Sequence, residues 1–424
     1  MALRNLLLVM AFLISFKFFW DALLKKPKPL LPAVLLIVIL QVWMLIVAGV
    51  ISTHSSHSFS EWIGQWLPTV MAFVIGIGLA YALTQSKLKD PRVAVAMIIL
   101  IPITLFLCAN SIALIHDSVL TGKFLREQHQ LGITDQKSMT SYLVALLEPI
   151  LIADMFSRSV KGQTLLPVHS WVIPTVLILA IFSLIAASSR NGLLFMFLAF
   201  ILGGTMMISE IRKTYSQTKI ITFVLTTLIF LSAFVLISYK TDPRWQSFIE
   251  TVPIAWDIDH DLLWLSSDSS NLPLTPSGNQ VELSAYNRIA WAHEGWRMLM
   301  EHPWGIEISR YTFRELELAK YGHAGMWHSH NSWIDFGLNV GIPGLLLWAT
   351  FLVLLVRNGW RKWKNQKEPF GLALVILVIM FAFRGLFDSI FRDHMTPQFM
   401  LVAGLLIGTL AFPNNNQEKD APAK

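Results

Sequence analysis

Charge and cysteine are scarce in this sequence of 424 residues. Charged residues make up 14% of it, against about 25% in an ordinary soluble domain, and that shortage excludes a water-soluble globular protein. The one cysteine, Cys108, lies inside an apolar run, so neither an intrachain disulfide nor a cysteine-rich metal site can form. The net charge of +6 is scattered between apolar runs rather than gathered on one domain, which gives no footing for nucleic acid. No repeat of solenoid period is visible, and the one low-complexity piece is residues 414–417.

What is present in abundance is apolar sequence: 54% of residues are hydrophobic, and they fall into long runs. The runs lie near residues 5–20, 30–51, 66–83, 93–115, 140–156, 170–187, 191–208, 219–238, 331–356, 370–387 and 397–412. Each is close to the length of about 20 residues that crosses a bilayer as a helix. The first is read as a span rather than a secretory signal, because Lys17 to Trp20 make an unsuitable cleavage site. The fold expected is an all-α polytopic membrane protein of about 11–12 transmembrane helices with one large loop. Residues 1–238 would hold about eight spans, 239–330 the loop, 331–412 three more spans and 413–424 a tail.

Positive charge in the short connections orients the bundle, because Lys and Arg are retained in the cytoplasm during insertion. Lys25, Lys26, Lys28, Lys87, Lys89, Arg92, Arg158, Lys161, Arg212, Lys213, Lys219, Arg357, Arg361, Lys362, Lys364 and Lys367 all fall in one alternating set of connections. The opposite set includes residues 52–65, which hold no Lys or Arg. The tail is therefore expected inside. The long loop, and the connections around residues 116–139, 188–190 and 388–396, are expected outside. Within the loop, an irregular run at residues 266–280 precedes a helical pattern over 283–300, where Ile289, Trp296 and Leu299 recur beside His293, Glu294 and Arg297. That helix is expected either to lie on the membrane surface or to belong to a small packed subdomain.

The most organised polar segment is His328, Ser329, His330 and Asn331, followed after nine residues by Gly341 and Gly344. If the stretch is helical, the glycines lie about 16 Å deeper than His330, suited to close helix packing or a kink in mid-membrane. A lone interfacial His is more often a hydrogen-bonded residue than a catalyst. Two arginines add weight to it: Arg190, in a short turn between two apolar spans, and Arg288, at the start of the loop helix. Each alone would pass for a headgroup contact or a snorkelling side chain. A charge held in such a place is costly unless it is paired or binds a ligand.

This arrangement resembles the O-antigen ligase family, a group that also contains O-antigen polymerases and bacterial protein O-oligosaccharyltransferases. The resemblance covers most of the chain: many spans, a large periplasmic loop before the last three, and the pattern of His330, Asn331, Gly341 and Gly344. Arg190, in Ser-Arg-Asn-Gly, resembles the family's arginine after a span. Arg288 resembles its loop arginine, followed as it is by Trp291, Trp296, Pro303 and Gly305. Lys137 is the nearest match to a further basic residue, usually Arg.

The resemblance implies a GT-C-like fold in the bacterial inner membrane and a metal-independent glycosyltransferase that needs no cofactor. The implied partners are an undecaprenyl-diphosphate-linked polysaccharide donor, a lipid A-core acceptor and inner-membrane lipids. The residue chemistry agrees with that reaction. A sugar hydroxyl is a weak nucleophile, and His330 is the natural general base. The lipid diphosphate is a good leaving group that needs charge stabilisation, which Arg190 and Arg288 can supply, with Lys137 assisting. Asn331, His328, Asp388 and Arg392 are expected to bind substrate; Asp388, Arg392, Asp393 and His394 together either orient His330 or hold the acceptor. Asp335 and Glu148, inside apolar runs, suit packing as well as support of the site. A metal reading of His323, His328 and His330, with His54 and His57 on the same side, lacks the spacing of a zinc site.

Among family members, a ligase joining O-antigen to lipid A-core is the first reading. A protein O-oligosaccharyltransferase usually carries more sequence after the last spans than residues 412–424 provide. A polymerase remains open. A transporter of lipid-linked sugar would place polar residues mid-membrane in paired broken helices, whereas here the charges cluster at one interface.

Overall fold

A computed structural model of the chain describes residues 2–88, 90–122, 137–161, 164–187, 189–218, 221, 225, 244–260, 262–265, 272–391 and 395–412. The helices are α1 (Ala2–Leu24), α2 (Leu31–Ile46, continued by a π-helical turn Val47–Ile51), α3 (Ser55–Glu61, with a second π-helical turn Trp62–Trp66) and α4 (Leu67–Gln85). They continue as α5 (Pro91–Thr121), α6 (Lys137–Lys161), α7 (Val172–Ala186), α8 (Arg190–Thr214), α9 (Arg244–Trp256), α10 (Leu283–Glu301) and α11 (Thr312–Tyr321). The last three are α12 (Ser332–Gln366), α13 (Pro369–Arg384) and α14 (Met395–Ala411). Among the described residues, seven helical segments are long and apolar enough to cross a membrane, and three shorter apolar helices accompany them. This is an all-α polytopic membrane fold. The eighth expected span, near 219–238, falls almost wholly outside the described residues, as do Lys89, Lys219 and residues 266–271 and 414–417.

Small residues let the helices meet at backbone distance, as lipid-embedded packing requires. A Cβ at Gly404 would come within 2.6 Å of the Phe73 carbonyl, so α4 and α14 are in backbone contact. A Cβ at Gly359 would lie 2.7 Å from the Gly371 carbonyl, which fixes α12 against α13. Where the glycines stop, aromatic rings fill the core. Trp66, Phe336, Trp348, Phe381, Phe391 and Phe399 interlock, with Phe336 and Phe391 4.9 Å apart and Phe381 stacked on Phe399 at 3.8 Å. At the end away from the long loop, Arg92 pairs with Glu368 at 3.0 Å and Lys367 with Glu210 at 2.7 Å.

The connection at residues 52–65 is largely helical, since α3 and its π-helical turn run directly into α4. Of the two expectations for the loop helix, packing prevails. Tyr286, Ala290, Trp291, Met298 and Leu299 of α10 share a core with Ala255 of α9, Trp264, Phe313 of α11, and Ile334 and Leu338 of α12. Trp296, expected on the apolar face, points outward and is 55% exposed. The irregular run ends in a tight turn, with an isolated antiparallel bridge between Leu274 and Gln280.

Gly341 is buried and kinks its helix, one of the two roles expected of it. It breaks α12 with φ 65° and ψ −176°, and the loop's Pro303–Gly305 turn sits in the break. The Ile342 N–H donates to the Pro303 carbonyl at 2.8 Å, and the Ile306 N–H to the Leu338 carbonyl at 3.0 Å. On the opposite side the Trp43 indole N–H donates to the Val340 carbonyl at 2.7 Å. The backbone groups freed by the kink are thereby satisfied, which a helix break at membrane depth demands.

Candidate active site

The segment that carries His330 is shaped by its own polar neighbours. Asn331 caps α12, its Oδ1 accepting from the Trp333 and Ile334 N–H groups at 3.0 and 3.2 Å, as a helix start prefers. One turn further, Asp335 turns its carboxylate back on the approach. Its Oδ1 accepts from the Ser329 N–H at 2.9 Å and the Ser329 hydroxyl at 2.7 Å, and its Oδ2 from the Ser389 hydroxyl at 2.6 Å. Held from both sides, His330 adopts φ 56°, a left-handed conformation that a side chain rarely takes without such support.

The His330 ring stacks on the buried Trp291, centroids 5.5 Å apart and planes 20° from parallel, and the His328 ring centroid lies 4.2 Å from its own. Trp291 belongs to α10, and Arg288 lies one turn before it on the same face, about 4.5 Å back along the axis. Arg288 is exposed.

Arg190 is the first residue of α8, preceded by Ser189, whose hydroxyl accepts from the Gly192 N–H at 3.3 Å. The α8 terminus presents the positive end of a helix dipole. The Arg190 side chain lies outside the described residues, as do the side chain of Lys137, at the start of α6, and all of Arg392, Asp393 and His394. Asp388 is placed. Its Oδ2 pairs with Arg384 at 3.2 Å, its Oδ1 accepts from the Ser389 N–H at 3.0 Å, and its carbonyl accepts from the Ser332 hydroxyl at 2.5 Å. The structure therefore gathers His330, His328, Asn331 and Asp388 around the start of α12, while Arg288 is placed only by its position three residues before Trp291. It sends His54 and His57 elsewhere, to Glu307 at 3.6 Å and Ser309 at 3.3 Å. Among the described residues no group of three or more His, Cys, Asp or Glu is arranged to hold a metal ion.

Two residues emerge that the sequence reading passed over or set aside. Asp335 holds the His330 turn, and Arg384, only 3% exposed, joins Asp388 to Ser141 of α6. The sequence signal for Arg384 is its place four residues before Asp388 at the end of an apolar helix.

The loop beside the site contains two carboxyl groups kept in the protonated form near neutral pH. Burial pushes Glu317 up to about 8, aided by the Glu294 charge and opposed by the Gly325 and Met326 N–H groups. Burial likewise raises Glu307 to about 8, helped by Glu315, which shares a hydrogen bond with it, and by Glu61. Glu294, fully buried, has its Oε1 held by Lys320 at 2.8 Å and the Tyr321 hydroxyl at 2.9 Å, with Arg297 3.7 Å from its Oε2.

Residues 175–349 match a family model described as O-antigen ligase. Over that stretch, less than half of its length, the chain is similar to the O-antigen ligase family. The match runs from α7 through the loop into α12, and so includes Arg190, Arg288, His330, Gly341 and Gly344 and stops short of Arg384 and Asp388. No curated protein matches the chain.

Proposed function

We propose that this chain is an O-antigen ligase that moves a glycan from undecaprenyl diphosphate to a lipid A-core hydroxyl on the periplasmic face of the inner membrane. The observation that carries the reading is the stacking of His330 on Trp291, one helical turn from Arg288. His330 takes the proton of the acceptor hydroxyl as that oxygen attacks the anomeric carbon. The new glycosidic bond forms as the bond to the diphosphate oxygen breaks, and undecaprenyl diphosphate departs with the electron pair. The proton passes from the imidazole to water.

Arg288 and Arg190 bear the charge that builds on the diphosphate. Guanidinium groups suit this through paired N–H donors, and the N-terminus of α8 adds its dipole. Lys137 contributes a point charge. His328, Asn331, Asp388 and Arg392 line the acceptor side. The sugar arrives activated on its lipid, so neither a nucleotide loop nor a metal is required for the transfer.

The lipopolysaccharide ladder of cells lacking the protein tests the reading. Loss of a ligase leaves full-length chains on the carrier and a bare core. A core bearing a single repeat unit points to a polymerase, and unchanged lipopolysaccharide removes both.

A further inference from the structure

Arg384 ends α13 with its guanidinium enclosed by three other elements. Its Nη1 donates to the Ser141 hydroxyl of α6 at 3.0 Å and its Nη2 to Asp388 Oδ2 at 3.2 Å. The cation lies 5.5 Å from the Tyr142 ring centroid and 5.7 Å from that of Phe195. Its Nε has no hydrogen-bond partner among the described residues. A buried guanidinium is expensive to hold, and an apolar side chain of similar volume would suit packing at least as well. Its retention calls for a reason beyond stability.

That reason lies in what the two donors join. The Ser141 hydroxyl is lodged against α8, so close that a Cβ at Gly192 would meet it at 2.7 Å and the Ser189 hydroxyl at 2.9 Å. One side of Arg384 therefore bears, through a single hydroxyl, on the turn that launches Arg190. On the other side Asp388 takes the Ser332 hydroxyl on its carbonyl, and the adjoining Ser389 hydroxyl reaches Asp335. Asp335 in turn grips Ser329, the residue before His330.

We propose that Arg384 is a positioning residue for glycan transfer, tying the α8 turn that carries Arg190 to the α12 turn that carries His330. This rests on the function proposed above. In this role Arg384 acts through other residues; its planar fork holds two partners in a fixed geometry that the point charge of a lysine does not impose.

The test uses the full-length purified protein with undecaprenyl-diphosphate-linked glycan as donor and lipid A-core as acceptor. The variants are S141A, which cuts only the α8 link, and R384K, which keeps the charge but not the fork. Both are compared at matched amounts of folded protein. S141A is expected to raise the donor KM several-fold with kcat nearly unchanged. R384K is expected to raise the donor KM and also lower kcat, by about tenfold, the effect of one lost charge-assisted hydrogen bond. In an R190A background the donor KM effect of S141A should disappear. Variants that match the parent in both parameters, or an S141A effect that persists unchanged beside R190A, overturn the inference while leaving the ligase reading intact. A parent protein that forms no glycosidic bond overturns the reading, and this inference with it.

Discussion

Gly305 and Gly341 meet backbone to backbone, both at positive φ, where the long loop enters the break in α12. A Cβ on Gly305 would stand 2.5 Å from the Asn339 carbonyl and 2.8 Å from the Gly341 nitrogen, neither of which can yield. G305A is therefore expected to lift the loop from α12, costing about 1–3 kcal/mol from the backbone conformation alone. Hydrogen exchange at Ile306 and Ile342, whose N–H groups make the docking bonds, should quicken. Unchanged exchange in that variant would show that the turn does not hold the loop.

The stack between Trp291 and His330 carries a second expectation. W291L removes the ring that the imidazole rests on, and an aromatic pair contributes about 0.5–1.5 kcal/mol, so kcat should fall up to about tenfold with donor KM little changed. W291F should recover most of the loss. A W291L enzyme with parental kcat would mean that the ring does not place the base.

Arg288 is expected to act through fork geometry as well as charge. R288A should lose about 10²–10³ in kcat, the range seen when a preorganised stabilising donor is removed. R288K should recover only part of it, since an ammonium cannot grip two oxygens in one plane. Full activity in R288K would reduce its role to that of a point charge.

The loop's stability should depend on pH through Glu317. Its carboxyl binds a proton more tightly folded than unfolded, having risen from 4.5 to about 8. The contribution is full below about 4.5 and is lost as pH rises through about 8, with Glu307 acting in the same sense. E317Q keeps the neutral form at every pH. Hydrogen exchange across residues 312–326 should then quicken less between pH 5 and about 8.5 than in the parent, in line with linkage. Identical profiles would remove Glu317 as the cause.

Much of the fold could be read in advance because lipid allows few solutions. Ten of the eleven apolar runs coincide with described helices, and the eighth lies outside them almost entirely. On α10, both Trp291 and Trp296 satisfy an amphipathic pattern. Which one is buried is decided by Ile334 and Leu338, about 40 residues away in the chain. Gly341 was legible as a special position, but its partner was not, since the Pro303–Gly305 turn reaches it only in the folded chain. Arg384 reads as an ordinary interfacial arginine until Ser141, 243 residues earlier, is brought beside it.

The most direct test of the account is bond formation by purified H330A in a bilayer, given lipid-linked glycan and lipid A-core and compared with the parent at equal protein. Loss of general-base help predicts a fall in turnover of about 10²–10⁴, with the donor still bound at near-parental affinity. Turnover at the parental rate would contradict His330 as the base and leave the stacked imidazole without a chemical role.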